Sequence, residues 1–125
     1  MRPFLLTISL MFSPHHSSTS PIRTFLDTLH PVVASPTPFS WTSLPIPWQC
    51  IAFRESTDNL RAINPVSGDV GAFQFALGTW NEYRPATYPS TPLLATLQQQ
   101  YEVALAVEKK DGFSPWVTAK MCGLH

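Results

Sequence analysis

The sequence predicts a small, mainly α-helical domain, or an α+β domain with a minor β element, and three observations support this. Apolar residues recur at helical spacing from Trp48, a long stretch of turn-forming residues follows, and two later sites combine a helix N-cap residue with proline. The composition also changes near Trp48, because eight of the 13 prolines precede it and seven of the eight acidic residues lie from Glu55 onward. We therefore expect a leader or linker in residues 1–47 and a folded domain in residues 48–125.

The first 47 residues have features of a secretory leader. Met1-Arg2 gives a positive start, and the apolar run at residues 4–12 is too short to span a membrane. The small residues Val32-Val33-Ala34 offer a cleavage site. The alternative is a Pro/Ser/Thr-rich tail without a leader. In either case we expect no membrane span.

The first helix is predicted from Trp48, Ile51, Ala52 and Glu55, which follow the i, i+3, i+4, i+7 spacing of one helix face. Pro47 suits the N1 position of this helix. Glu55 therefore lies on the apolar face, near the helix C-terminus. A single, partly desolvated acid at a helix end suits general-acid cleavage of a glycosidic bond.

The segment after this helix is predicted to be a long loop. Residues 56–69 have no periodicity and contain several turn formers, so we expect a loop with at most one strand-like hairpin. Residues 71–77 are apolar except for Gln74, and Gly78 or Thr79 then begins a helix. Long irregular segments in compact domains are usually functional, which favours such a role for this loop.

Two further helices are predicted from pairs of a cap residue and a proline. Thr91-Pro92 begins the longer helix, and Gly112 ends it. Ser114-Pro115 begins a short last helix that ends near Cys122-Gly123. The apolar face predicted for the longer helix consists of Leu94, Leu97, Tyr101, Ala104 and Leu105.

The two cysteines, Cys50 and Cys122, stand at the two ends of the expected domain. They are either two buried free thiols or a disulfide that closes nearly the whole domain, and we expect the disulfide. A small core benefits from a covalent crosslink, and the bond would imply an oxidising compartment. No zinc or c-type haem spacing occurs, so we expect no metal and no cofactor.

The charge distribution argues against one class of partner. The chain has eight basic and eight acidic residues, which are interspersed and form no basic stripe. Nucleic-acid-binding domains concentrate positive charge on one face. We therefore expect no nucleic-acid partner.

Several motifs occur in an order that resembles lysozyme-like lytic transglycosylase domains, the family of the soluble lytic transglycosylases and of resuscitation-promoting-factor-like proteins. Those domains have a helix ending in Glu-Ser, an Asn-Pro-x-Ser-Gly-type loop, a Gly-hydrophobic-hydrophobic-Gln element and a Thr-Trp helix. The matching motifs are Glu55-Ser56, Asn64-Pro65-Val66-Ser67-Gly68, Gly71-Ala72-Phe73-Gln74-Phe75 and Thr79-Trp80. The closing segment, which resembles that of resuscitation-promoting-factor-like domains, contains Gln98-Gln99, Gly112-Phe113-Ser114-Pro115-Trp116 and Cys122-Gly123.

The resemblance implies a lysozyme-like fold in which Glu55 is the catalytic residue. Glu55 would protonate the bridging oxygen between N-acetylmuramic acid and N-acetylglucosamine. It would then act as a base, on a sugar hydroxyl in a lytic transglycosylase or on water in a muramidase. A transglycosylase needs no second carboxylate, because the substrate's own groups can stabilise and trap the cation. The alternative for Glu55 is a structural salt bridge with Arg54 or Arg61.

The resemblance also suggests substrate-binding residues. Gln74 would hydrogen-bond the substrate or the catalytic carboxyl, and Ser67 would face the glutamate. Asn64 and Trp116 are further candidates, with loop shaping and core packing as their respective alternatives. Asp69 is the possible second acid, with a turn-forming role as its alternative.

The partner and the location follow from the same resemblance. The substrate would be the glycan strands of peptidoglycan, cleaved by a monomer that is secreted or cell-wall associated, or virion-associated if a phage encodes it. The Ala-Tyr-Asn motif that lines the cleft in many transglycosylases is missing, so a non-catalytic peptidoglycan-binding module is the alternative. A third hypothesis is an interaction protein that docks a cell-wall peptidase.

Overall fold

The structure is a computed structural model that describes residues 34–125. The leader predicted at the N-terminus, with its apolar run at residues 4–12, lies outside the described residues. The folded unit considered below is Thr37–His125. Its helices confirm the mainly α fold class, and no helix within residues 34–125 has the length and apolar character that crossing a bilayer requires.

The described part of the chain contains three α-helices and three short 3-10 helices. The α-helices are α1 (Ile46–Ser56), α2 (Leu77–Tyr83) and α3 (Leu97–Asp111). The 3-10 helices are Trp41–Ser43, Pro92–Leu94 and Val117–Cys122. The last of these, called the C-terminal 3-10 helix below, packs against α1.

Packing begins upstream of residue 48, where the composition changes. The α1 helix starts at Ile46, so Pro47 is its second residue rather than its first. Leu44 is buried, and Phe39 and Trp41 pack against the core. The change in composition near residue 48 therefore lies inside the packed unit. Pro47 does not interrupt α1, because proline is compatible with the first turn of a helix.

Aromatic side chains occupy the centre of the core. Trp48 contacts the rings of Phe73 and Trp116 edge-on, with ring centroids 5.5 Å and 5.1 Å away. Phe75 packs on Trp80, which is fully buried. This cluster joins α1, α2 and the chain after α3 into one core.

The segment between α1 and α2 contains the minor β element that the sequence allowed. Val70 forms isolated antiparallel bridges with both Ile63 and Phe75. The N–H of Val70 donates to the carbonyl of Phe75 at 3.0 Å, and the N–H of Phe75 donates back at 2.8 Å. No longer strand forms in residues 34–125, so this segment is a folded loop.

The α3 helix differs from its predicted start and face. It begins at Leu97, where Thr96 and Gln99 form a capping box, whereas Thr91 caps only the 3-10 turn Pro92–Leu94. The tighter turn changes the phase of the helix that follows, so the predicted face was wrong at Leu94 and Leu105, which are 70% and 37% exposed. The buried positions of α3 are Leu97, Gln100, Val103, Ala104 and Val107.

Candidate active site

Glu55 is the penultimate residue of α1, as the periodicity predicted. Trp48, Ile51 and Ala52 are buried on the same helix, and Glu55 is half-buried. The carboxyl group therefore stands at the edge of the core, one residue before the helix ends.

The carboxylate of Glu55 is held by a neutral hydroxyl. Oγ1 of Thr118, on the C-terminal 3-10 helix, donates a hydrogen bond to Oε1 of Glu55 at 2.5 Å. The only ion pair within residues 34–125 is Lys110–Glu82, so neither Arg54 nor Arg61 forms the salt bridge considered as an alternative. The guanidinium of Arg61 instead donates to the carbonyl of Leu93.

The backbone turns sharply directly after Glu55. Thr57 and Asp58 both adopt left-handed conformations, with φ of 57° and 58°. This conformation is rare for a β-branched residue such as threonine, and such strain is concentrated at functional sites. Ser56 stabilises the turn, because its buried hydroxyl donates to the carbonyl of Ala52 at 2.9 Å and accepts from the N–H of Asn59 at 3.1 Å.

The loop that follows is organised by its own side chains. Oδ1 of Asn64 accepts from the N–H groups of Val66 and Ser67 at 2.9 Å and 3.2 Å. Oγ of Ser67 donates to Oδ2 of Asp69 at 2.9 Å. Asn64 thus shapes the loop, and Ser67 makes its side-chain hydrogen bond with Asp69 rather than with Glu55.

Gln74 lies in a tight turn that begins at Gly71. Its φ is 51°, and its Nε2 donates to the carbonyl of Gly71 at 2.9 Å and more weakly to that of Ala62 at 3.4 Å. Gly71 itself has a φ of +89°, and a Cβ at this position would lie 2.5 Å from Oε1 of Gln100. Gln74 is half-buried, and the amide of its side chain is bonded to the backbone of its own turn.

Gln100 is a buried residue that the sequence analysis missed. It accepts from the N–H of Ala72 at 2.7 Å and donates to the carbonyl of Pro92 at 2.8 Å. Its helical spacing could have indicated that it is buried, because Gln100 lies three residues after Leu97 and three before Val103, which are both buried on α3. Gln100 connects the loop that carries Gln74 to α3.

Two cavities open near the candidate residues. The smaller one, of about 150 Å³, is lined by Asp69, Gln74, Thr79 and Trp116, together with four other residues. The larger one, of about 360 Å³, is lined mainly by the C-terminal segment, including Val117. Within the described residues Glu55 lines neither cavity, and its contact with Thr118 places it next to the segment that lines the larger one.

Trp116 is buried in the core, and it also lines both cavities. It is 4% exposed, and its Nε1 donates to the carbonyl of Phe73 at 2.9 Å. A ring buried in this way cannot offer its face to a sugar. The structure thus favours the core-packing alternative for this residue.

Two further observations concern the cysteines and the clustering of metal-ligating side chains. Cys50 and Cys122 form the expected disulfide. Within residues 34–125, no three His, Cys, Asp or Glu side chains are close enough together to hold a metal ion.

The domain is similar to known proteins. Residues 43–119 match the family model described as a transglycosylase-like domain. The chain is 40% identical over 72 residues to the probable transglycosylase SceD 3 of Staphylococcus saprophyticus, which covers 57% of this chain and 30% of that protein. It is also 40% identical over 70 residues to the probable transglycosylase SceD of Staphylococcus aureus strain Newman, which covers 55% of this chain and 30% of that protein.

The similarity is confined to one part of each relative, because this chain spans about 30% of their length. The matched residues 43–119 include α1, the folded loop, α2, α3 and Thr118. The match therefore contains the element that carries Glu55 and the residue that contacts it. The chain belongs to the transglycosylase-like domain family.

Proposed function

We propose that the domain is a lytic transglycosylase that cleaves the β-1,4 bond between N-acetylmuramic acid and N-acetylglucosamine in peptidoglycan, with Glu55 as its single acid and base. The observation that carries this proposal is the environment of Glu55. The carboxyl is half-buried at the end of α1 and bonded to the hydroxyl of Thr118, with no cationic partner within residues 34–125. A carboxyl without an ion-pair partner can give and take a proton more readily than one held in its charged form by a cation.

The reaction proceeds in two proton transfers. Protonated Glu55 gives its proton to the bridging oxygen, the bond from the muramic anomeric carbon to that oxygen breaks, and the glucosamine chain leaves with a new hydroxyl. The resulting carboxylate then takes the proton of a muramic hydroxyl, whose oxygen bonds to the anomeric carbon. Glu55 is protonated again, and the muramic product is an internal anhydride.

A muramidase is the first alternative, in which water replaces the sugar hydroxyl. The water would be activated by Glu55 or by a second acid, for which Asp69 is the candidate because it is half-buried and lines the smaller cavity. The mass of the product distinguishes the two reactions, since an anhydro end is one water lighter than a reducing end.

A non-catalytic peptidoglycan-binding module is the second alternative. One observation favours it: among the described residues, neither cavity is lined by Glu55. A binding module would retain glycan strands without releasing any fragment. Binding and cleavage must therefore be measured on the same samples.

The decisive experiment is mass spectrometry of fragments released from purified peptidoglycan by the full 125-residue chain. We expect anhydro-muramyl ends from the wild type and no fragments from Glu55→Gln, with thermal stability nearly unchanged and with glycan binding retained. Glu108→Gln is a matched control, because it makes the same change at a half-buried glutamate of α3. It should cleave like the wild type.

Two results would count against this proposal. Appreciable cleavage by Glu55→Gln would remove Glu55 from its assigned role. Binding without cleavage by the wild type would favour the module.

We also propose that the protein is secreted or cell-wall associated. The disulfide supports this, because such bonds persist in oxidising compartments and are rare in the cytosol. The proposed substrate supports it as well, since peptidoglycan lies outside the cytoplasm.

A further inference from the structure

The α1 helix and the C-terminal 3-10 helix are joined at two points. Cys50 of α1 bonds to Cys122, and Glu55 of α1 accepts a hydrogen bond from Thr118. The earlier residue of one element pairs with the later residue of the other, so the two elements run antiparallel.

The spacing of these two points matches along both elements. Glu55 follows Cys50 by five residues, which is a rise of about 7.5 Å in an α-helix. Cys122 follows Thr118 by four residues, which is a rise of about 8 Å in a 3-10 helix. With the disulfide formed, the hydroxyl of Thr118 is therefore level with the carboxyl of Glu55.

The residues around Thr118 also hold it in place. Trp116 is buried against Trp48, with its indole N–H bonded to the carbonyl of Phe73. Ala119 is buried as well, and its N–H donates to the carbonyl of Trp116 at 2.9 Å. Thr118 lies between these two buried positions, so its hydroxyl has a defined position relative to α1.

We propose that Thr118 is a positioning residue for the carboxyl of Glu55. Its hydroxyl has a single proton and donates it to Oε1, which leaves Oε2 free to carry the proton for the substrate. Without this bond the carboxyl would rotate among several orientations. This inference rests on the proposed function, in which Glu55 is the acid.

The first test compares three variants in the rate of fragment release from purified peptidoglycan over a range of concentrations. Thr118→Val keeps the shape and removes the hydroxyl, so we expect kcat to fall roughly tenfold to a hundredfold with KM unchanged. Thr118→Ser keeps the hydroxyl and should restore most of the rate. Thr87→Val makes the same change at an exposed threonine and should behave like the wild type. Wild-type kcat in Thr118→Val, or no restoration by Thr118→Ser, would overturn the proposal.

The second test does not depend on activity. A double-mutant cycle measures the free energy of unfolding of Glu55→Ala, Thr118→Val and the double variant by urea denaturation. We expect the double variant to lose less than the sum of the single losses, because either change alone removes the shared hydrogen bond. Additive losses would overturn the inference. If the wild type releases no fragments, the proposed function fails, and this cycle still decides whether Thr118 holds Glu55.

Discussion

Gln100 is the residue that most clearly combines a polar side chain with a structural role. It is completely buried, and its amide satisfies the N–H of Ala72 and the carbonyl of Pro92 at the same time. Buried polar groups stabilise a fold only when their partners are present. Gln100 therefore determines where the loop that carries Gln74 lies against α3.

The loss of this amide should destabilise the domain strongly. Gln100→Leu keeps similar volume but leaves the buried Ala72 N–H without its partner, which should lower the free energy of unfolding by about 2 kcal/mol; the Pro92 carbonyl still accepts from the N–H of Ala95. Urea denaturation measures this change. Gln98→Leu, at an exposed position of the same helix, should change stability by less than about 0.5 kcal/mol. Equal midpoints for Gln100→Leu and the wild type would show that the amide contributes little.

Sequence patterns revealed some of these residues and not others. The position of Glu55 could be predicted from the sequence, because Glu55 shares the helical spacing of Trp48, Ile51 and Ala52, all of which are buried. The contact between Glu55 and Thr118 could not be predicted from the sequence, because it joins residues 63 positions apart and no local sequence pattern indicates it. Local patterns report the face that a side chain occupies, whereas long-range partners depend on how the elements pack.

At the scale of elements, the start of α3 depends on its cap. Thr96 accepts from the N–H of Gln99 at 3.1 Å, and the side chain of Gln99 accepts from the N–H of Thr96 at 3.0 Å. Thr91 carries the same kind of signal in the sequence, yet it caps a single 3-10 turn. The Thr-Pro pair therefore correctly indicated the start of a helical turn, but the turn is a 3-10 turn and not the start of α3. An N-cap residue followed by proline is compatible with both kinds of helix.

The two threonines should differ in their effect on stability. Thr96→Ala removes the cap of a 15-residue helix and should lower the free energy of unfolding by about 1 kcal/mol. Thr91→Ala removes a longer, 3.3 Å bond at a short turn and should cost less. Chemical denaturation of both variants against the wild type checks this order. A larger loss at Thr91 would contradict the assigned start of α3.

The elements between α1 and α2 were predicted only in outline. The turn formers correctly indicated a loop with a small β component, which the two bridges of Val70 supply. The hydrogen bonds within this loop, such as the one from Ser67 to Asp69, could not be predicted. They join polar residues only two positions apart, and several neighbouring polar residues could have served equally well as partners. A sequence with many polar turn residues does not determine which of them pair.

At the scale of the whole molecule, the disulfide is the main covalent constraint. It joins residues separated by 72 positions, and both cysteines are partly exposed. Closing a loop of this length reduces the conformational entropy of the unfolded chain, which corresponds to about 4 kcal/mol in the chain-entropy model. A small core depends heavily on such a contribution.

Removal of both cysteines should therefore reveal how stable the core is alone. The double variant Cys50→Ala/Cys122→Ala should lose about 4 kcal/mol of unfolding free energy. Urea denaturation of this variant, and of the wild type with a reductant, should give the same lowered midpoint. A reductant should have no effect on the double variant. An unchanged midpoint in the double variant would show that the crosslink contributes no net stability.

The same bond has a mechanical consequence. The Cα atoms of Cys50 and Cys122 are 5.8 Å apart, and the bond closes the chain between them into one loop, whereas packed residues before Cys50, such as Leu44, lie outside that loop. Tension applied to the chain on both sides of this loop would first act on those outer residues, and it would then pass across the sulfur bridge and bypass the enclosed chain. Glu55, the folded loop and Thr118 all lie within the enclosed chain. A domain that is pulled from both sides would thus keep these residues free of tension for as long as the bridge stays oxidised.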